Sequence, residues 1–157
     1  MAKINFERIA DVGEAAFVQD GYRGLNWDNF YAEDASIASE GILNVIHSGR
    51  ASAFNDLGRT AVFQSPDNED DFDFNGGYFA SSEPDGLRVR VVGYDDGKKV
   101  ATKLLILDTD QEFVRFGPHF DGINKVTFTP SGGTDADPND NIPPTQTCLV
   151  DDLFIDF

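Results

Sequence analysis

The chain has 157 residues, of which 28 are Asp or Glu and 12 are Lys or Arg, so its net charge is −16. This length, together with a hydrophobic content of 40%, indicates a single domain over residues 1–157 whose core needs no disulfide. The negative charge disfavours nucleic acid and anionic lipid as partners, and no apolar run in the sequence approaches the roughly 20 residues of a membrane helix.

The first predicted element is a strand over residues 3–8, because apolar and polar side chains alternate there. The segment from Asp11 to Gln19 has the clearest helical periodicity and is expected to form one or two helical turns. Beyond it, short alternating runs are separated by Gly, Asp, Asn and Pro, which is typical of an all-β sandwich. The remaining strands are predicted at 24–32, 41–47, 51–55, 60–64, 71–80, 87–95, 99–108, 112–117, 123–129 and 147–156.

The most specific local prediction is a hairpin formed by the strands 87–95 and 99–108. The dipeptide Asp96-Gly97 lies between them, and Asp-Gly tolerates the positive φ angles that a two-residue primed turn requires. Two acidic segments without apolar periodicity, 65–71 and 131–145, are expected to be exposed loops.

Both terminal strands contain an acidic residue where a half-buried strand prefers an apolar or neutral side chain. If these strands lie side by side, Glu7 and Asp151 meet near the sheet edge. Two neighbouring carboxylates repel unless a proton or a cation lies between them, and hard oxygen ligands favour Ca²⁺. The sequence therefore predicts a calcium ion bound by Glu7 and Asp151, with a pair of solvated strand-end acids as the alternative.

Further candidate oxygen ligands lie next to Asp151 and on either side of Trp27. Asp152 is the fallback ligand, because a one-residue error in register exchanges the two faces of a strand. Asn26, Asp28 and Asn29 could add oxygens, although Asx residues beside a tryptophan also shape turns.

Other chemical signals are weak. The acidic loops lack the ligand spacing of an EF-hand, and His47 and His119 lack zinc-ligand spacing, so packing or surface roles are expected for both. Cys148, the only cysteine, is expected to be buried and inert. No nucleophile elbow, phosphate loop or dinucleotide fingerprint occurs, so an enzyme, for example a paired-carboxylate hydrolase, is the least favoured class.

Five strings in the chain resemble a group of mostly uncharacterised extracellular β-sandwich proteins of fungi and bacteria, and together they cover nearly the whole chain. They are Gly24-Leu25-Asn26-Trp27-Asp28-Asn29-Phe30-Tyr31, Phe72-Asp73-Phe74-Asn75-Gly76-Gly77-Tyr78-Phe79, Val91-Val92-Gly93-Tyr94-Asp95-Asp96-Gly97, Ser131-Gly132-Gly133-Thr134 and Val150-Asp151-Asp152-Leu153. The terminal arrangement is more distantly similar to calcium-binding jelly-roll carbohydrate-binding modules, which hold a structural Ca²⁺ between an acidic residue of the first strand and an Asp of the last.

The resemblance implies an all-β, two-sheet antiparallel β-sandwich of jelly-roll type, with Glu7 and Asp151 at the positions of those calcium ligands. It also implies an extracellular or cell-surface protein. No signal-peptide core precedes the first predicted strand, so the chain is expected to be either intracellular or separated from a leader.

Carbohydrate, as a glycan or polysaccharide, is the partner that the resemblance implies. Sugar binding needs an exposed aromatic ring with polar neighbours, and the candidates are Tyr94, Tyr31 and, third, Trp27. A single tryptophan within an apolar strand is more often a core residue. The leading function is therefore a non-catalytic, calcium-stabilised carbohydrate-binding domain, and the alternative is a structural or protein-interaction β-sandwich without a sugar site.

Overall fold

The computed structural model describes residues 1–38, 40–134, 139 and 145–157. Its strands are β1 (Ala2–Ile4), β2 (Ala15–Phe17), β3 (Asn26–Asp28), β4 (Phe30–Asp34), β5 (Ala51–Asn55), β6 (Ala61–Gln64), β7 (Asp73–Ser81), β8 (Asp85–Asp95), β9 (Lys98–Leu107), β10 (Glu112–Arg115), β11 (Lys125–Thr134) and β12 (Cys148–Asp156). A short helix, α1 (Glu40–Leu43), lies between β4 and β5. Within the described residues, no helix is long and apolar enough to cross a membrane.

The strands form two antiparallel sheets that pack face to face. One has seven strands in the order β10-β7-β12-β5-β4-β2, with β1 also pairing with β12, and the other has five in the order β3-β6-β11-β8-β9. This architecture confirms the predicted all-β, two-sheet antiparallel sandwich of jelly-roll type.

Phenylalanine rings from both sheets fill the space between them. Phe63 on β6 and Phe128 on β11 come from the five-stranded sheet, and Phe74 on β7 comes from the other. Their ring centroids lie 5.3 to 6.2 Å apart, and two of the three contacts are edge-to-face, which suits the charge distribution of aromatic rings. All three side chains are buried, and burial of each contributes about 1.5–3 kcal/mol of hydrophobic stabilisation.

The terminal strands pair as predicted, but the first is shorter than expected. Ile4 lies opposite Leu153 in the β1–β12 register, and β1 ends there because Phe6 and Arg8 adopt left-handed backbone conformations with φ of 57° and 65°. Glu7 therefore lies in the turn that follows β1. On β12, a bulge interrupts pairing with β7 after Asp151, and Asp152 has φ of 45°.

Three other predicted elements are wrong in part or in whole. The predicted strand 24–32 divides at Asn29, whose φ is 57°, because β3 joins the five-stranded sheet and β4 the seven-stranded one. The predicted strand 41–47 forms α1 and a turn, and its apolar Val45 packs on Ala80 and Leu149. The predicted helical turns at 11–19 contain β2, since pairing of Phe17 with Tyr31 of β4 extends the sheet.

The predicted hairpin is confirmed. Strands β8 and β9 flank Asp96 and Gly97, whose φ angles of 47° and 77° are those of a type I′ turn. The acidic segment 66–71 is exposed, as expected, although Ser65 is buried. Residues 131–134 extend β11, and most of the second predicted loop lies outside the described residues.

Trp27 is a core residue. Its side chain is 6% exposed, its Nε1 donates a hydrogen bond to the Tyr22 carbonyl oxygen at 2.9 Å, and its ring packs edge-on against Phe6 and Phe30. Burial contradicts the prediction that Trp27 offers a ring face to a ligand.

We expect Trp27→Ala to lower the free energy of unfolding by about 3–5 kcal/mol, because it leaves a large cavity and removes the hydrogen bond from the indole to the Tyr22 carbonyl oxygen. Urea unfolding followed by circular dichroism measures this loss, since Trp27 is the only tryptophan and its fluorescence disappears with it. Trp27→Phe is the matched control and should lose less. An alanine variant that unfolds at the wild-type urea concentration would show that the ring is not part of the core.

Candidate functional site

A buried pair of carboxylates lies where β12 changes partner along one of its sides. Its residues 149–150 pair with β5 and its residues 153–155 pair with β1, so Asp151 and Asp152 lie in the interval between these two strands. Both side chains are buried. Together with Glu7, these residues are here called the acidic centre.

Asp151 is held entirely by backbone amides. The N–H groups of His47 and Ser48 donate to its Oδ2 at 2.7 and 3.0 Å, and the N–H group of Asp152 donates to its Oδ1 at 2.8 Å. Burial, and to a smaller extent the negative charge of Asp152, raise the pKa of Asp151, and the three amide hydrogen bonds lower it, so that the resulting pKa is about 6. Among the described residues, no cationic side chain forms an ion pair with Asp151.

Asp152, by contrast, already has cationic and hydroxyl partners. Lys3 Nζ lies 3.2 Å from its Oδ1, the Ser48 hydroxyl donates to the same oxygen at 2.7 Å, and His47 Nδ1 lies 2.8 Å from Oδ2. The His47 ring also stacks on Tyr78, with centroids 3.6 Å apart. Sequence reasoning gave His47 a packing or surface role and did not foresee its contact with Asp152.

Glu7 reaches the same segment of chain from the other terminus. Its Oε1 accepts hydrogen bonds from the amides of Arg50 at 2.7 Å and Ala51 at 2.9 Å. The carboxylate lies directly against Gly49, where an added Cβ would collide with it. Glu7 and Asp151 therefore contact opposite ends of the segment 47–51. Asp152 adjoins Asp151, and no described contact joins the Glu7 carboxylate directly to either aspartate.

Asn29, the fourth predicted metal ligand, lies elsewhere. It occupies the crossover between the sheets, and its Nδ2 donates to the carbonyl oxygens of Asp56, Arg59 and Thr60, each at 3.2 Å. This side chain braces the turn after β5, and no described contact joins it to the acidic centre.

The donor chemistry of the acidic centre fits a hard cation. Asp151 is a buried carboxylate without a cationic partner, and Oε2 of Glu7 accepts no hydrogen bond from the described part of the chain. Within that part, no three Asp, Glu, His or Cys side chains form a metal-binding group. Backbone carbonyl or water oxygens would therefore have to complete the coordination of an ion held by Glu7 and Asp151.

A second feature is the outer surface of the five-stranded sheet, here called the polar face. Strand register places its side chains in cross-strand rows, because alternate residues of each strand point outward. The rows are Asn26, Gln64, Lys125, Tyr94 and Lys99; Asp28, Val62, Thr127, Val92 and Thr102; Thr129, Arg90 and Leu104; and Ser131, Arg88 and Ile106.

Tyr94 lies near the middle of its row and is half-buried. Lys125 Nζ lies 5.5 Å from the centroid of its ring. A groove of about 490 Å³ runs over Tyr94, Arg90 and Leu104. An adjoining hollow of about 360 Å³ is lined by Asp20, Asn26, Trp27, Asp28, Val62, Gln64 and Lys125. The predicted ligand residue Tyr94 thus lies on an open surface with amide, hydroxyl and cationic neighbours.

Tyr31, the other predicted aromatic, lies on the seven-stranded sheet between two rings. The Phe17 centroid is 3.8 Å from that of Tyr31, and the Phe54 ring stacks on it at 5.8 Å. The exposed member of this cluster is Phe17, at 52%. Sequence reasoning missed Phe17, because it placed residues 11–19 in helical turns instead of an edge strand.

Cys148 is buried, as predicted. Burial raises the pKa of its thiol to about 12, so the thiol is almost entirely protonated near neutral pH.

Comparisons with known proteins define the class of this fold. No protein-family model matches the chain, and no curated protein matches it. Among solved structures, a CBM61 carbohydrate-binding module, TmCBM61, in complex with β-1,4-galactotriose aligns with a TM-score of 0.50 and 11% identity over 87% of this chain and 93% of the module. A CBM51 module from Clostridium perfringens in complex with methyl-galactose has a TM-score of 0.41 and 10% identity over 97% of this chain and 98% of its own.

The alignment with TmCBM61 shows that the fold is similar to that of this carbohydrate-binding module. A DUF4465 family protein from Bacteroides caccae aligns with a TM-score of 0.67 and 13% identity, over 99% of both chains. At this identity the similarity shows a shared fold.

The raised pKa of Asp151 predicts a pH-dependent stability in EDTA. Because the folded-state pKa of about 6 exceeds the ordinary value of 3.8, the folded protein holds this proton more tightly than the unfolded chain. The stability that this proton contributes is present below about pH 4 and is lost as the pH rises through about 6. In Asp151→Asn this decline should be absent.

The measurement is the free energy of unfolding in urea at several pH values. The asparagine amide loses one hydrogen-bond acceptor at every pH, so the slope against pH is the informative quantity. Parallel curves for the wild type and Asp151→Asn would contradict the assignment.

Proposed function

We propose that this chain is a non-catalytic carbohydrate-binding module, stabilised by Ca²⁺ and located outside the cell or on its surface. The observation that supports sugar binding best is the row that crosses Tyr94. It combines the ring of Tyr94, which lines the groove, with the amides of Asn26 and Gln64, which line the adjoining hollow.

Each of these groups suits a different part of a sugar. The apolar C–H face of a pyranose packs on an aromatic ring, while amides, hydroxyls and charged groups bind its hydroxyl groups. Tyr94 supplies the ring, and Gln64 and Thr129 lie on neighbouring strands of the same face. An open sheet face lets a polysaccharide lie across several strands without its ends entering the protein.

The same groove gives little support to a hydrolase. Glycoside hydrolysis needs two carboxyl groups on either side of the scissile bond. The described lining of the larger groove is made of basic, hydroxyl and apolar side chains and Tyr94, with no Asp or Glu.

The proposed calcium ion is held by Glu7 and Asp151 in the acidic centre. These residues lie at the two termini, and both already contact the segment 47–51. A cation shared by them would supply the positive charge that Asp151 lacks and would tie together three distant parts of the chain. Because the unfolded chain does not preserve this arrangement, the binding free energy would add to the stability of the fold.

Calcium is expected to raise the melting temperature relative to EDTA. A ligand bound only by the folded state stabilises it by about 2.7 kcal/mol at a hundredfold excess over its Kd. Differential scanning calorimetry of exhaustively chelated protein, with and without added CaCl₂, measures the increment. Coincident melting curves would contradict the calcium site.

Glu7→Gln and Asp151→Asn should each lose most of this increment while still folding. Both changes keep one oxygen but remove the charge that attracts the cation. Asp96→Asn, in the hairpin turn, removes the same charge and should keep the increment, because Asn suits that turn. If Asp152→Asn loses the increment and Asp151→Asn keeps it, then Asp152 is the ligand.

Tyr94→Ala is expected to abolish carbohydrate binding without unfolding the domain, because it removes the stacking surface from an exposed strand position. A glycan array in calcium, led by β-1,4-galactan oligosaccharides, identifies a ligand, and titration calorimetry then compares variants. Tyr31→Ala, on the other sheet, is the matched control and should bind like wild type. If only Tyr31→Ala loses binding, the site lies on the seven-stranded sheet.

An absence of binding across plant, fungal and bacterial glycans would favour the alternative, a protein-interaction module. The observation behind this alternative is the edge strand β9, where Leu104 and Ile106 are 53% and 63% exposed. Exposed apolar side chains on an edge strand are a common site of protein contact.

A further inference from the structure

We infer that the groove beside Tyr94 binds acidic polysaccharides, whose sugar rings carry carboxylate groups. The inference rests on the proposed function, since it names the class of carbohydrate that the same groove accepts. Its basis is the charge of the groove, which plays no part in the argument for sugar binding itself.

Three cationic side chains, Arg88, Arg90 and Lys99, line this groove, and Lys125 lies beside it in the adjoining hollow. Arg88 and Arg90 are alternate residues of β8 and point outward, so their Cα atoms are about 6.6–6.8 Å apart. Lys99 and Lys125 lie opposite Tyr94 on the strands to either side. The ring of Tyr94 therefore has a lysine on each flank and two arginines further along its own strand.

These cations are not neutralised by the protein. Among the described residues, Arg88, Arg90, Lys99 and Lys125 form no ion pair, and the described lining of the groove contains no carboxylate. Three other basic residues have acidic partners, since Lys3 pairs with Asp152, Arg50 with Asp34 and Arg59 with Asp56. Arg8, Arg23, Lys98, Lys103 and Arg115, which lie outside the groove, also form no ion pair among the described residues. The groove itself is lined by three cations and by no described carboxylate, although the chain has 28 acidic residues against 12 basic ones.

A carboxylate-bearing sugar matches all the groups in the groove. Guanidinium groups bind carboxylates through paired, charge-assisted hydrogen bonds, and lysines add positive charge. Tyr94 can pack on the ring face of the same sugar, and Thr129 can bind a hydroxyl group. A nucleic acid would bring a much denser line of phosphates toward a protein of net charge −16, and a second copy would bring an equal negative charge.

The test compares a galacturonate hexamer with its methyl ester, which differ mainly in charge. A neutral β-1,4-galactan hexamer, which also differs in its linkage, is included as a second uncharged ligand. Short oligomers are used because calcium gels long polygalacturonate. Titration calorimetry should show the acid binding about tenfold or more tightly than its ester, since each charge-assisted hydrogen bond contributes substantially to affinity. Raising NaCl from about 50 to about 300 mM should weaken the binding of the acidic oligomer and leave the binding of the ester unchanged.

The double variant Arg88→Gln/Arg90→Gln should lose this preference for the acid and bind the ester as the wild type does. Arg8→Gln/Arg115→Gln removes the same charge outside the groove and should keep the preference. Thermal unfolding of each variant confirms that it is folded. An equal loss of acid binding in both double variants would overturn the inference, because net charge would then explain the effect.

Different results would contradict the charge preference and the carbohydrate binding. If acid and ester bind equally and Tyr94→Ala abolishes both, the groove binds carbohydrate without charge selection, so the proposed function stands and the inference is overturned. If no glycan binds at all, the proposed function itself fails and the inference fails with it.

Discussion

The structure depends on how the chain fills the interval beside β12. This strand pairs with β7 along one side, but its other side is shared by β5 and then β1, and neither strand covers residues 151–152. Backbone groups in such an interval need partners, because unpaired buried polar groups are costly. The segment 47–51 lies beside this interval, and its own amides find carboxylate acceptors: those of His47 and Ser48 donate to Asp151, and those of Arg50 and Ala51 donate to Glu7. For the amides of this segment, the carboxylates therefore replace the carbonyl oxygens that a neighbouring strand would offer.

This arrangement explains why charged residues occupy positions that look wrong for a strand. An apolar side chain at Asp151 could not accept the amide hydrogen bonds of His47 and Ser48, and the bulge at Asp152 turns a second carboxylate toward Lys3. The cost is visible in the raised pKa of Asp151, which reflects a charge buried without a cationic partner. A bound cation is the direct physical remedy for that cost.

Local sequence signals predicted those parts of the fold that local geometry controls. The turn at Asp96 and Gly97 fixes the β8–β9 hairpin, and alternation along β8 correctly places Arg88 and Arg90 on one face. The elements that sequence reasoning missed depend on pairing between strands that are separated along the sequence. Asn29 marks a change of sheet in the middle of one apolar run, and β2 exists only because β4 offers it an edge.

The acidic centre shows the same limit. Two acidic residues in terminal strands predicted a meeting of Glu7 and Asp151, and the pairing of β1 with β12 brings them to the same segment. Its other members could not be foreseen, because His47 and Ser48 lie more than a hundred residues from Asp152 in sequence. Their segment was assigned to a strand, since Val45 reads as an alternating apolar position although it packs on the outside of the sheet.

The acidic centre and the groove over Tyr94 lie on different sheets. The outer surface of the seven-stranded sheet is partly covered by Val45 and Ile42, and it holds the acidic centre at β12. The outer surface of the five-stranded sheet carries the polar face and the groove over Tyr94. Because the core separates the two, a cation at Glu7 and Asp151 cannot touch a sugar at Tyr94. Calcium would therefore increase sugar binding only by increasing the fraction of the protein that is folded. The intrinsic affinity of the groove for the sugar would not change.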